Sequence, residues 1–231
     1  MIQISNISKI FESGQGIRDI SATFLPGRIN MVIGKSGSGK TVLLKCISGL
    51  IETDSGSVLY ENSNTVPRGE VGMLFQNSAL FDYMNVLQNV MFPLDMFSHD
   101  SYAQRKERAM FCLEKVGLAD AAGKMIGELS GGMQKRTAIA RAISLNPKSL
   151  LCDEPNSGLD PITSRIIDGL LKSITTEFNT TTIINTHDIG SVNHIADHIL
   201  FIHQGSAEWQ GDKSQFNAAD NRLLKEFLSA Y

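Results

Sequence analysis

The sequence predicts an α/β protein whose core is a mainly parallel sheet covered by helices. Short apolar runs alternate with longer segments of helical pattern, most regularly from Ser149 to His203. A glycine-rich loop, Gly34–Thr41, stands between a predicted strand and a predicted helix, and a second apolar strand ends in Asp153 and Glu154. Because α/β proteins bind ligands at the carboxyl ends of their strands, both features predict a site at one edge of the sheet.

Composition limits the class of protein. The chain has 231 residues, 42% of them hydrophobic, which is enough for one large domain or a domain with a subdomain. The net charge of −3 provides no basic field, so we expect no nucleic-acid partner. The start, MIQISNISKIF, lacks the long apolar core of a signal peptide. No run approaches the roughly 18–20 apolar residues of a membrane-spanning helix, so we expect a cytoplasmic protein that reaches a membrane through a partner.

The three cysteines are far apart and have no metal-ligand spacing. Cys46, Cys112 and Cys152 are therefore expected to be buried, reduced thiols.

The N-terminal part reads mainly as strands. Alternation and apolar runs predict strands at Ile2–Phe11, Ile17–Phe24, Ile29–Ile33, Ser57–Tyr60 and Val71–Phe75. Pro26-Gly27 predicts a turn, and Val42–Gly49 has the pattern of a helix that ends at its glycine.

The rest of the chain is predicted to form a helical insertion followed by renewed strand–helix alternation. Residues 85–128 have a mostly helical pattern. Later strands are expected at Ser149–Cys152, Thr181–Asn185 and His198–His203, and helices at Pro161–Phe178 and Ile189–Ala196. We therefore predict one domain over 1–231, with a core of about 1–84 and 149–231 and a helical subdomain of about 85–148.

The C-terminal segment NRLLKEFLSAY has an apolar helical face. Leu224, Phe227, Leu228 and Tyr231 share this face, which we expect to dock on its own domain; a contact with another subunit is the alternative.

The loop after Ile33 has the composition of a phosphate-binding loop. Gly34, Gly37 and Gly39 allow close backbone approach, and the loop amides and the following helix N-terminus favour an anion. Lys40 supplies a charge for the β- and γ-phosphates, and Thr41 supplies a hydroxyl for Mg²⁺. The predicted nucleotide-binding set is Gly34, Lys35, Ser36, Gly37, Ser38, Gly39, Lys40, Thr41 and Val42.

The acids of SLLCDEP form the second half of this predicted site. Asp153 is expected to hold Mg²⁺, through water, and Glu154 to polarise the attacking water. A solvated loop or a helix cap is the alternative for an Asp-Glu pair. An apolar strand before it and a phosphate loop upstream favour the catalytic interpretation.

LSGGMQ, at Leu129–Gln134, is similar to the signature motif of the ATP-binding-cassette (ABC) ATPases, and the resemblance covers nearly the whole chain. It implies a P-loop NTPase fold with an N-terminal antiparallel β part and a helical subdomain carrying the signature. It also implies a homodimer that sandwiches two ATP molecules. The residues implied to contact the ATP of the other copy are Ser130, Gly131, Gly132 and Gln134, with Asp160 of SGLD at the interface.

The same resemblance assigns three further residues. Gln76, after VGMLF, is implied to lie near Mg²⁺ and the lytic water, and His187, in NTHD, to reach the γ-phosphate. A lone histidine after a strand is more often structural. Phe11 is the candidate for stacking on adenine, with a core phenylalanine as the alternative. Asn156 stands where the family commonly has threonine.

The motif residues needed for hydrolysis are all present, so we expect an active ATPase. They are Lys40, Thr41, Gln76, Asp153, Glu154 and His187.

The segment Gly72–Leu94 resembles the ATPase subunit of Mla/Mce-type lipid transporters, which read close to MLFQ-x-x-ALF-x-x-x-NV-x-x-NV-x-x-PL. DEPNSGLDPITS and HIADHILFI resemble the same group. The resemblance implies an integral membrane permease, a lipid-binding Mce-type protein, and a peripheral position at the cytoplasmic face of the inner membrane. The aromatic and Met content of the segment suits an apolar groove for a partner's short helix, around Phe81–Pro93.

Two alternatives to lipid transport remain open at this point. One is the ATPase subunit of another ABC system, such as an amino-acid or methionine importer or a lipoprotein-release system. The other is a soluble ABC ATPase of DNA repair or translation, which usually has coiled-coil insertions or two cassettes in one chain.

Overall fold

The computed structural model describes residues 1–61, 63–67 and 69–229. Its strands are β1 (Ile2–Ile10), β2 (Gly16–Phe24), β3 (Arg28–Ile33), β4 (Ser55–Tyr60), β5 (Val71–Leu74), β6 (Ser149–Asp153), β7 (Thr181–Thr186), β8 (His198–His203) and β9 (Ser206–Asp212). Its α-helices are α1 (Lys40–Ile47), α2 (Val86–Phe97), α3 (Tyr102–Lys115), α4 (Gly131–Ala142), α5 (Pro161–Glu177), α6 (Ile189–Ile195), α7 (Lys213–Phe216) and α8 (Arg222–Leu228). Two short 3-10 helices span Ala119–Ala121 and Ile126–Glu128.

The central sheet has six strands in the order β5-β6-β7-β3-β8-β9. All neighbouring pairs are parallel except β8 and β9, which are antiparallel. A second, antiparallel sheet has the order β2-β1-β4. The mainly parallel core and the N-terminal antiparallel part are therefore confirmed.

Both faces of the central sheet are covered by apolar side chains. Met31 and Leu150 face a core built with helices α2 to α8, whereas Val32 and Leu151 face a core built with α1 and the antiparallel sheet. Every residue of β6 and β7 is buried. This two-sided burial explains why the central strands read as continuous apolar runs and not as alternating ones.

Helices α2, α3 and α4 pack on one another, as the helical pattern of the insertion predicts. Asn85 and Ser101 begin α2 and α3 with reciprocal capping boxes, completed by Gln88 and Gln104. The division into a core and a helical subdomain stays a prediction, because the packing alone does not define independent units.

Two elements near the C-terminus were not predicted, strand β9 and helix α7. In β9 only Gly211 is buried, and SAEWQGD has neither an apolar run nor a clear alternation. An edge strand of this kind carries little sequence signal.

Helix α8 docks on its own domain, as expected. Leu224 and Phe227 are buried, and the Phe227 ring lies 5.3 Å from the Phe201 ring of β8, measured between centroids. The predicted place of Tyr231 on this face lies outside the described residues. The three cysteines are free and buried, as predicted. None of the helices in the described part of the chain is both long and apolar enough to cross a membrane.

Candidate functional site

Four adjacent parallel strands deliver the predicted site residues to one edge of the sheet. The loop with Gln76 follows β5, Asp153 and Glu154 stand at the end of β6, His187 follows β7, and the phosphate loop Gly34–Thr41 follows β3. Because these strands are neighbours in the order β5-β6-β7-β3, segments far apart in the sequence meet.

The phosphate loop depends on glycine at particular positions. A Cβ atom at Gly34 would lie 2.2 Å from the Ile202 carbonyl oxygen, and Gly37 and Gly39 have φ values of 79° and 107°. The hydroxyl of Ser38 is buried and has no hydrogen-bond partner among the described residues. Helix α1 begins directly after the loop, at Lys40. The loop therefore offers backbone amides, a helix N-terminus and an unpaired hydroxyl to an anion.

The ammonium group of Lys40 lies inside this loop. Its Nζ donates to the carbonyl oxygens of Gly34, at 2.8 Å, and Lys35, at 3.2 Å, and lies 3.7 Å from Glu154 Oε1. Burial lowers the pKa of Lys40, while the charges of Glu154 and Asp153 oppose that shift. The loop thus holds a buried cation next to the two acids, where a phosphate would meet it.

Thr41 and Asp153 are the pair best placed for a magnesium ion. The Thr41 hydroxyl donates to Asp153 Oδ1 at 3.0 Å, and the side-chain amide of Asn185 donates to the same oxygen at 3.2 Å. In the described part of the chain no three His, Cys, Asp or Glu side chains are placed to hold a metal. Such a cluster is not needed, since Mg²⁺ in phosphate-transfer sites uses one or two carboxylates and the substrate's phosphates. The hydroxyl and carboxylate oxygens therefore fit Mg²⁺.

Glu154 and His187 are in direct contact. His187 Nδ1 lies 3.0 Å from Glu154 Oε1 and 2.9 Å from its Oε2. The His187 side chain is half exposed, whereas that of Glu154 is 13% exposed. The arrangement places a carboxylate between a histidine and Lys40, which suits a group that polarises water next to a phosphate.

Gln76 lies in the loop after β5, and its predicted place near Mg²⁺ stays a prediction. Its Nε2 donates to Ser157 Oγ at 3.3 Å, and none of its described hydrogen bonds reaches Asp153. Its backbone carbonyl accepts a hydrogen bond from the ammonium of Lys135, a buried residue of α4. Sequence reasoning missed Lys135, because a lysine beside Arg136 has the pattern of a solvated helix face.

The signature segment lies at the start of α4. Ser130 caps the helix and accepts from the Met133 amide at 3.3 Å. Ser130, Gly131 and Gly132 line a cleft of about 350 Å³ together with the loop before α5. Among the described residues no hydrogen bond joins this segment to the phosphate loop. The chain therefore presents two separate candidate anion-binding features.

Two residues assigned by the resemblance have local structural partners. Gln134 Nε2 donates to the carbonyl oxygens of Ile126 and Leu129, at 3.2 and 3.4 Å, so its side chain braces its own helical segment. Asp160 caps α5, accepting from the Ile162 and Thr163 amides at 3.0 Å each. A hydrogen bond from the Thr163 hydroxyl, followed by one from the Thr163 amide, lowers the pKa of Asp160. A nucleotide contact of either side chain stays a prediction.

Phe11 lies in the turn after β1 and is 39% exposed, so the core interpretation was wrong. Its amide donates to the Gln15 carbonyl at 2.8 Å. The turn leads to Gly16, whose carbonyl would lie 3.4 Å from a Cβ atom at Gly39 of the phosphate loop. This proximity is compatible with a stacking role for Phe11.

Comparisons with known proteins identify the family of this chain. A sequence profile of the ABC transporter family matches residues 17–157. The methionine import ATP-binding protein MetN of Clostridioides difficile is 35% identical over 237 residues, 99% of this chain and 74% of that protein. The probable ribonucleotide transport ATP-binding protein mkl of Mycobacterium tuberculosis is 31% identical over 237 residues, and the chain spans 66% of its length.

A solved structure shares the fold. The ATP-binding cassette MJ0796, in a dimeric post-hydrolysis state bound to ADP and Pi, superposes with a TM-score of 0.81 at 29% identity. The match covers 92% of this chain and 98% of that one. This chain belongs to the ABC transporter family. It has the ABC ATPase fold, and it is an ATP-binding subunit that hydrolyses ATP.

Proposed function

We propose that this chain is the motor subunit of a membrane transporter and works as a homodimer with two ATP·Mg²⁺ between the copies. The separation of the two anion-binding features carries this proposal. The phosphate loop lies at the sheet edge, whereas Ser130–Gly132 opens its own cleft at the start of α4. Two copies arranged head to tail bring one feature of each kind to both nucleotides. The dimeric state of the related cassette MJ0796 supports this arrangement.

Within each composite site the residues divide the chemistry. Lys40 and the loop amides hold the triphosphate, and Thr41 and Asp153 hold Mg²⁺, which neutralises phosphate charge when bound. Glu154 accepts the proton of the attacking water, and His187 keeps that carboxylate in place through their 3.0 Å contact. Ser130 and the start of α4 complete the phosphate cradle from the other copy.

A membrane permease is proposed to dock in an apolar groove beside β5 and α2. The groove has a volume of about 750 Å³, and its apolar lining includes Leu50, Phe75, Phe81, Phe92 and Phe97. Leu50 and Phe97 are 56% and 60% exposed, which is unusual for large apolar side chains that face only water. A short amphipathic helix on the cytoplasmic side of a permease fits a groove of this kind. Such docking would place the chain at the cytoplasmic face of the inner membrane as a peripheral subunit.

Phospholipid or another lipid is the proposed cargo, and an Mce-type lipid-binding protein is the proposed third component. The similarity of Gly72–Leu94 to the Mla/Mce group supports this proposal, since that segment supplies much of the groove. Import of methionine or another amino acid is the second candidate, because the relative MetN carries that name at 35% identity. Relatives of similar identity are named for methionine and for ribonucleotide transport, so the cassette alone does not fix the cargo.

Affinity purification from native membranes tests the cargo. Tagged protein is purified in detergent, and the co-purifying proteins and lipids are identified by mass spectrometry. A permease with an Mce-type protein and retained phospholipid is the expected result. A permease with an amino-acid-binding protein would favour the second candidate, and a soluble nucleic-acid complex would contradict transport altogether.

The same purification tests the groove. We expect Phe97→Asp to lose the permease, since a charge in the apolar groove opposes docking. Tyr102→Asp is the matched control, because Tyr102 begins the next helix, is 62% exposed and lies outside the groove lining. Retention of the permease by the Phe97→Asp variant would show that it docks elsewhere.

A further inference from the structure

The side chain of Asn156 connects the segment after β6 to helices α5 and α6, close to the Glu154–His187 pair. It lies two residues after Glu154, and its side-chain amide donates to Asp168 Oδ1 of α5 at 2.7 Å and to Ser191 Oγ of α6 at 2.9 Å. Asp168 and Ser191 are 3% and 4% exposed. The segment that follows the catalytic carboxylate is therefore tied to two helices through buried polar groups.

The connection continues to the residue next to His187. Ser191 Oγ donates to Asp188 Oδ2 at 3.1 Å, and Asp188 Oδ1 accepts the Gly190 amide at 2.8 Å, which caps α6. The Asp188 amide donates to the Thr186 hydroxyl at 3.0 Å. A continuous path of hydrogen bonds thus runs from the residue after Pro155 to both neighbours of His187.

The buried carboxylate of Asp168 is stabilised by this hydrogen-bond network. Burial raises the pKa of its carboxyl group, and the hydrogen bond from Asn156 counteracts that rise. The His194 ring also lies near this carboxyl group, with Nδ1 at 3.8 Å from Asp168 Oδ2. A side chain without the amide donors at position 156 leaves this buried carboxylate with one fewer hydrogen bond.

We propose that Asn156 is a positioning residue, which fixes His187 against Glu154 through Ser191 and Asp188 and so sets the rate of ATP hydrolysis. The inference rests on the proposed roles of Glu154 and His187. An asparagine amide has two N–H donors and serves both partners, whereas the threonine common in the family has one hydroxyl donor. Threonine at this position can donate only one of the two bonds.

Steady-state ATPase kinetics of Asn156→Ala and Asn156→Thr in the full chain test the proposal. We expect Asn156→Ala to lower kcat about tenfold or more, because small misplacements of catalytic groups have effects of this size. The KM for ATP should not change, since Asn156 does not contact the phosphate loop. Asn156→Thr should fall between the parent and the alanine variant.

A double-mutant cycle separates positioning from a general loss of structure. If Asn156 acts through His187, Asn156→Ala should cause no further loss in the His187→Ala background. Additive losses, or a raised KM with an unchanged kcat, would overturn the proposal. Parent-like kcat in a folded Asn156→Ala variant would overturn it as well, and Asn156→Thr keeps the test decisive if the alanine variant does not fold.

Asn193→Ala is the matched control. Asn193 of α6 is exposed and lies in the cleft that Glu154, Asn156 and His187 also line. Its backbone carbonyl accepts a hydrogen bond from Lys213. This variant should keep the parent kinetics. If His187→Ala and Glu154→Gln also hydrolyse ATP at the parent rate, the proposed catalytic roles fail; if only the Asn156 variants do, only this inference fails.

Discussion

The position of Glu154 depends on a left-handed backbone conformation directly after the buried strand β6. Its φ is 47°, and its amide donates to the Asn185 carbonyl of β7 at 3.0 Å. A non-glycine residue in this conformation costs roughly 1–2 kcal/mol, so neighbouring contacts must hold it. This turn places the carboxylate next to His187 and Lys40.

Replacing Glu154 by Gln tests the role of its charge. The amide has nearly the same shape but is a poor base, so we expect kcat to fall by about 100-fold or more while ATP still binds. Phosphate release and retained nucleotide measure the two effects. Glu107→Gln, an exposed change on α3, is the control. Hydrolysis at the parent rate in Glu154→Gln would remove Glu154 from the mechanism.

Most residues of the nucleotide site could be predicted, because the phosphate loop and the Asp-Glu pair have chemistry visible in the sequence. The partners of those residues could not. Asn185 contacts Asp153 only because β7 lies between β6 and β3, and that strand order is not written in any local pattern. Asn156 stood out only as a departure from the family's threonine.

Helix α4 connects the signature to the loop after β5. Ser130 caps its start, Lys135 donates to the Gln76 carbonyl in its middle, and Arg141 near its end donates to the Ser78 and Ala79 carbonyls at 2.8 and 2.7 Å. Burial lowers the pKa of Lys135 and that of Arg141. Helix α4 therefore links Ser130, which is proposed to contact the nucleotide of the other copy, with the loop that borders the apolar groove.

Replacing Lys135 by Met tests this link. Methionine fills similar space but leaves the Gln76 carbonyl without its donor, which should cost about 1–3 kcal/mol of unfolding free energy. ATPase activity should fall as the loop loosens. Urea denaturation and initial rates measure both, with Lys106→Met on the exposed face of α3 as the control. An unchanged unfolding free energy and activity would show that the contact contributes nothing.

At the level of elements, apolar periodicity predicted the central strands and the long helices, since both are set by burial. The ends of elements and strand β9 were set by tertiary contacts. β9 pairs with β8 from His198–Asp212 to His203–Ser206, and this pairing stabilises a segment whose own sequence is polar.

The whole molecule combines an ATPase core with a groove suited to a partner. Its two apolar cores lie on opposite faces of the central sheet. How two copies meet could be predicted only from the family resemblance, because head-to-tail pairing leaves no pattern in a single sequence. The proposed homodimer is the central claim of this account.

Mixing two inactive variants tests that claim most directly. Lys40→Ala removes the phosphate-loop charge, and Ser130→Asp keeps a good helix cap but opposes the triphosphate with a negative charge. In a head-to-tail dimer, a mixed pair has one site with both defects and one site with neither. We predict that the mixture regains up to about a quarter of the parent activity, since half of randomly formed dimers are mixed. A mixture as inactive as its components would contradict the composite site.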